Sequence, residues 1–208
     1  MFNYIRNGQE IYNLSFAIIR RETDLSHIPD DLEKVVVRII HACGMVDIAK
    51  NFAFSNNAGY IGKQALQAGA PLLCDSRMVA EGIIRKRLPA ENQVLCTLNN
   101  PKVPELAKKL GCTRSAAALE YWHDFLPGSI AVIGNAPTAL FRLLEIVKDD
   151  FFKPALILGF PVGFIGAAES KEALVQHHQN IPYITLHGRR GGSAIAAAAV
   201  NALASEKE

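Results

Sequence analysis

The chain has 208 residues, half of them hydrophobic and a fifth charged, which is enough length and apolar content for one domain with a buried core. With 22 basic and 20 acidic side chains the net charge is +2, so the balance gives no global case for a nucleic-acid partner, while a local basic pocket stays open. The N-terminus lacks the cationic stretch and apolar core of a secretory signal, and the longest apolar run, 155–168, contains Pro161 and three glycines. A membrane span needs about 20 apolar residues, so none is expected. Cys43, Cys74, Cys96 and Cys112 form no CxxC pair and no zinc-spaced cluster with histidine; they read as buried free thiols of a reducing cytoplasm.

The elements follow in chain order. Residues 9–22 place Ile11, Leu14, Ile18 and Ile19 at helical spacing. Pro29-Asp30-Asp31 opens a second helix, with proline and acids in its first turn. Leu32, Val35, Val36, Ile39 and Ile40 form its apolar stripe, and Gly44 ends it. Short apolar runs then alternate with helices. Strands are expected at 71–74, 94–98, 130–133, 155–158 and 183–186. Helices are expected at 76–86, 103–110, 116–122, 137–147, 169–175 and 194–204. Strands apolar throughout and separated by helices indicate a mainly parallel, doubly wound sheet covered on both faces. The fold class is therefore three-layer α/β/α with N-terminal helices, as one domain over 1–208.

Such sheets bind ligands at the carboxyl ends of their strands. Three strands end in glycine-bearing turns, at Gly134, at Gly159 and at Gly188-Arg189-Arg190-Gly191-Gly192-Ser193. Glycine there either makes a tight turn or lets backbone N–H groups approach an anion. The usual cofactor signatures are absent: Gly159, Gly163 and Gly166 have the wrong spacing for a dinucleotide fingerprint, and neither a phosphate-loop lysine nor a nucleophile elbow occurs. A nucleotide-dependent enzyme is disfavoured on that ground, and no metal is expected. His177 and His178 are expected to face solvent on different sides of a helix. His123 is read as satisfied or exposed.

His41 is the more informative histidine. It shares a helix face with Lys34 and Arg38, opposite the apolar stripe. Spacing alone fits either a solvated polar face or a proton donor. The helix end would raise its pKa and the two cations would lower it. Arg114, at the start of a helix, opposes the helix dipole, which makes it either an ordinary surface arginine or a functional departure from a local rule. Arg189 and Arg190 add positive charge suited to carboxylates, while 85–87 reads as solvated surface. Ser15 lies mid-helix and carries little signal alone.

Taken together, several segments resemble one family. They are Tyr12-Asn13-Leu14-Ser15-Phe16-Ala17-Ile18-Ile19-Arg20, Arg38-Ile39-Ile40-His41-Ala42-Cys43-Gly44, Leu73-Cys74-Asp75-Ser76-Arg77-Met78-Val79 and Thr113-Arg114-Ser115-Ala116-Ala117. Gly134-Asn135-Ala136-Pro137-Thr138-Ala139-Leu140, the stretch from Gly159 to Lys171, and Gly188-Arg189-Arg190-Gly191-Gly192-Ser193-Ala194 complete the set. From about Tyr4 to Ala204 the chain resembles the precorrin-8X methylmutases of cobalamin biosynthesis and their cobalt-precorrin-8 counterparts. The resemblance implies an isomerase that moves a methyl group from C-11 to C-12 of the corrin precursor, within one molecule and without a methyl donor or other cofactor. It also implies a cytoplasmic homodimer with the site near the subunit interface. His41 falls on the family's catalytic histidine, which protonates a ring nitrogen and recovers the proton. Ser15 and Arg114 fall on its substrate-binding serine and arginine. Asn135 joins them from its place in a strand-end loop. A non-catalytic corrinoid carrier using the same pocket is the rival reading.

Overall fold

The structure is a computed structural model describing residues 2–205. It opens with two helices, α1 (Gly8–Glu22) and α2 (Asp30–Cys43). The Asn7 side chain caps α1 by accepting from the Gln9 and Glu10 amides at 2.9 and 3.2 Å. Gly44 ends α2 in the left-handed conformation (φ 70°) and returns its N–H to the Ile40 carbonyl.

A short 3-10 turn (Val46–Asn51) leads into strand β1 (Phe52–Phe54) and helix α3 (Ala58–Gln67). Next come β2 (Leu72–Cys74), α4 (Arg77–Gly82), β3 (Val94–Leu95), α5 (Val103–Leu110) and α6 (Arg114–Ala118). The chain closes with β4 (Ile130–Ile133), α7 (Pro137–Ile146), β5 (Leu156–Gly159), α8 (Ala167–His177), β6 (Tyr183–Leu186) and α9 (Ser193–Ala204).

The strands form one sheet in the order β1-β6-β5-β4-β2-β3. All neighbours are parallel except β1, which pairs antiparallel with β6, Phe52 opposite Leu186. Alternation divides the sheet between two cores. Leu72, Ile130, Leu156 and Ile184 point to a layer that holds α2, α3, α4 and α9. Leu73, Ala131 and Ile157 point to a layer that holds α7 and α8. Every residue of α9 from Ile195 to Ala204 is buried, and its alanines let neighbours come close. The chain order reverses between β2 and β4, which is the switch point of the sheet.

The structure corrects several expectations. Residues 52–67 hold a strand and a helix where none was expected. The helix expected at 76–86 stops at Gly82, and the strand expected at 94–98 keeps only two paired residues. In α1, Ile11, Leu14 and Ile18 are 43, 45 and 44 % exposed, whereas Phe16 and Ile19 are buried. The helix carries two apolar stripes, and only the one through Tyr12, Phe16 and Ile19 faces the core. The face of α2 with Lys34, Arg38 and His41 is not freely solvated: α1 lies across Arg38 and His41, and Lys34 Nζ donates to the Ser205 carbonyl beyond α9. Arg38 is 6 % exposed, its guanidinium 5.8 and 5.5 Å from the Tyr12 and Phe16 ring centres. Of the four free cysteines only Cys74 is buried, and Cys112 is exposed. His178 packs on Tyr183 and bonds the Ile181 carbonyl through Nδ1 rather than facing solvent.

Candidate active site at the strand-end rim

His41 and Ser15, 26 residues apart, meet where α1 crosses α2. Ser15 Oγ lies 2.7 Å from His41 Nδ1. The imidazole is flanked by Tyr12 (ring centres 5.2 Å apart) and by Phe16, whose ring is edge-on at 5.3 Å. The serine hydroxyl either donates to a bare Nδ1 or accepts from Nδ1–H, and in both cases it engages Nδ1. Nε2 makes no hydrogen bond among the described residues. Burial, and then the nearby Arg38 charge, hold the His41 pKa below its ordinary value. The two opposing influences read from the sequence resolve in favour of the neutral imidazole.

The C-terminal end of α2 reaches the carboxyl edge of the sheet. Asp47, in the turn after α2, receives Arg190 Nη1 at 2.6 Å. Arg190 belongs to the strap that follows β6, 188–192. That strap is held against the loop after β5: Gly163 N–H donates to the Arg189 carbonyl and Gly192 N–H to the Phe160 carbonyl. A Cβ on Gly191 would sit 2.3 Å from the Phe160 oxygen, so only glycine allows this approach. Arg189 stacks over the Phe164 ring at 5.3 Å.

Arg114 and Asn135 lie elsewhere on the same rim and are both exposed. Arg114 is the first residue of α6, and its N-cap Thr113 accepts from the Ala116 amide. Thr113 Oγ1 lies 2.8 Å from Thr138 Oγ1 in the first turn of α7. Asn135 is in the loop that joins β4 to α7. The structure brings Ser15 to His41, and brings the Arg114 turn to the Asn135 loop. No hydrogen bond joins the two pairs among the described residues.

Two buried charged residues escaped the sequence reading. Asp75, just after β2, accepts hydrogen bonds from the Gly134, Asn135 and Ala136 amides at 2.9, 2.9 and 2.8 Å. These N–H groups at the switch point are therefore already engaged. Lys171 of α8 is completely buried, with Nζ 2.5 Å from the Arg190 carbonyl. Burial lowers its pKa to about 8. Both residues lie inside quoted motifs, but only the packing shows their burial. Among the described residues no group of three or more His, Cys, Asp or Glu side chains is placed to hold a metal ion.

An oriented imidazole and a rim of arginines on a parallel α/β sheet form an arrangement of the kind that acid–base enzymes use on anionic ligands. The particular family follows from comparison with known proteins. Residues 10–206 match the model of the family described as Precorrin-8X methylmutase, and the chain belongs to that family. It is 63 % identical over its full length to the whole of the Precorrin-8X methylmutase of Pseudomonas aeruginosa. It is 38 % identical to the Cobalt-precorrin-8 methylmutase of Methanocaldococcus jannaschii, over 95 % of this chain and 93 % of that protein. A solved precorrin-8X methylmutase from Thermus thermophilus superposes with a TM-score of 0.85 at 38 % identity, over 95 % of each chain. The chain is accordingly an isomerase of cobalamin biosynthesis, and these relatives carry an enzyme's name rather than a carrier's.

Proposed function

We propose that the chain moves the methyl group of precorrin-8X, or of cobalt-precorrin-8, from C-11 to C-12, giving hydrogenobyrinate or cobyrinate. The observation that carries this reading is the 2.7 Å contact between Ser15 and His41, which dedicates Nε2 to the substrate. In the complex the imidazolium form of His41 passes its Nε2 proton to a ring nitrogen, which draws electrons from the conjugated system and leaves the neutral imidazole. The bond from C-11 to the methyl carbon breaks as the bond to C-12 forms. The proton then returns to Nε2, so no external donor or acceptor is consumed. Substrate binding assists, because peripheral carboxylates near His41 oppose the influence of Arg38 and favour the imidazolium. Arg114 clamps one such carboxylate and Asn135 contributes a hydrogen bond. Ser15 acts as a hydrogen-bond partner within the site.

The acting unit in this reading is a homodimer with a cytoplasmic setting. The exposed stripe Ile11, Leu14 and Ile18 supports the dimer, since a second copy would cover it and bring the interface within a helical turn of Ser15. Four free thiols support the reducing compartment. One continuous sheet supports residues 1–208 as a single domain.

The test follows visible absorption of metal-free precorrin-8X and of its cobalt form with the protein and with His41→Ala. Conversion by the former alone is expected, the variant losing at least about a hundredfold in kcat while still binding substrate. Equal turnover by the variant would overturn the role of His41. Failure to convert either substrate would overturn the reading as a whole.

A further inference from the structure

The switch point of a doubly wound sheet is where such folds seat an anion, commonly a phosphate, on the amides that open the next helix. In this protein a side chain occupies that place. Asp75 is 3 % exposed, and its two oxygens receive all three consecutive amides from Gly134 to Ala136. The loop they belong to is closely confined. A Cβ at Gly134 would lie 2.6 Å from Val79 and 2.7 Å from Ala196. It carries Asn135 and runs directly into the first turn of α7. There Thr138 reaches Thr113, the N-cap of the turn that begins with Arg114.

We infer that Asp75 is a positioning residue, a built-in anion that fills the switch-point crevice and fixes, through the 134–136 amides and the Thr138–Thr113 bond, where Asn135 and Arg114 stand on the rim. This rests on the proposed roles of Arg114 and Asn135 in substrate binding. The carboxylate replaces a diffusible anion, so the crevice is closed to nucleotide phosphates and recognition of substrate carboxylates passes to the arginine at the rim. Burial raises the Asp75 pKa and the three amides act against that rise. The carboxylate form suits the fan of donors, because a protonated oxygen is a poorer acceptor.

The test measures kcat and KM of the full-length protein on precorrin-8X for Asp75→Asn, Thr138→Val, Arg114→Ala and the double variant D75N/R114A. Asn keeps the shape of Asp75 but turns an NH2 group toward backbone donors. Val keeps the shape of Thr138 and removes only the link to Thr113. D75N and T138V are expected to raise KM about three- to tenfold, the scale of one lost hydrogen bond, with kcat within about twofold. In the double variant the KM increase should fall short of the product of the single increases, because part of the Asp75 effect passes through Arg114. If R114A raises KM while T138V leaves it unchanged, the inference is overturned, and T138V decides this even where D75N fails to fold. Multiplicative KM effects in D75N/R114A would also overturn it. If R114A itself leaves KM unchanged, it is the substrate role of Arg114 that falls.

Discussion

Replacing Ser15 by alanine removes the one hydrogen bond made to His41 Nδ1 among the described residues. The effect can be sized from the surroundings. A partly buried hydrogen bond contributes about 0.5–1.5 kcal/mol net, a factor of roughly 2 to 13. The ring itself should stay in place, held by Tyr12 on one side and Phe16 edge-on. What is lost is the contact that limits rotation of the ring, so Nε2 is aimed at the substrate in only part of the population. The expected result is a fall in kcat of about tenfold, near the upper end of that range. It should be clearly smaller than the loss in His41→Ala. The assay is the initial rate of the visible spectral change at saturating substrate, with thermal melting as a control for folding. An unchanged kcat would refute the claim that Ser15 orients the ring. A loss as large as that of His41→Ala, with the fold intact, would show that Ser15 takes part in the proton transfer itself.

Three further outcomes follow from the same structure. Lys171→Met should remove a pH dependence of stability: between pH about 8 and 10.5 the unfolded chain keeps a proton that folded Lys171 has released, so raising the pH favours the native protein. The thiols of Cys43, Cys74 and Cys96, whose pKa values burial raises, act in the opposite sense in the same window, so the test is the difference between the two proteins. Across the window the native protein should gain about 3 kcal/mol relative to the variant in urea unfolding, and identical slopes would contradict it. Leu14→Glu places a charge in the exposed stripe of α1 and should weaken the proposed dimer by at least about a hundredfold, seen as a fall from two-chain to one-chain mass in light scattering, whereas an unchanged two-chain mass would locate the interface elsewhere. Gly191→Ala forces a methyl group against the Phe160 and Pro161 carbonyls, 2.3 and 2.5 Å from the built Cβ; a stability loss of about 1–3 kcal/mol is expected in urea unfolding, and no loss would mean that the strap shifts freely.

The sequence makes the central strands legible because parallel strands buried on both faces must be apolar throughout, as Ile130-Ala131-Val132-Ile133 is. It hides β1 and α3 for equally physical reasons. Three residues at a sheet edge need little hydrophobic signal. Helix α3 contains Gly59 and Gly62, poor helix formers whose presence answers to packing: a Cβ at Gly59 would lie 2.1 Å from the Asp31 carbonyl oxygen. The site divides in the same way. His41 shows itself by spacing and resemblance, but its neutral state depends first on α1 burying the ring and then on the charge of Arg38 beside it, a contact between two helices that no local pattern encodes. Asp75 and Lys171 look like surface charges in a one-dimensional reading, and only the loop after β4 closing on Asp75 and the loop after β6 closing on Lys171 reveal them as buried anchors.

The two ends of the sheet carry a last consequence. One border is the three-residue antiparallel strand β1, the other the two-residue strand β3. Unpaired ladder groups are therefore confined to short stretches, and the molecule offers little template on which a foreign strand could grow. Growth by strand addition, the common route to fibres, is blunted at both borders. Any stable association must instead be made through side chains on the helical layers, where contacts are specific and self-limiting. For a protein with half its residues apolar, that arrangement favours closed assemblies over open-ended ones.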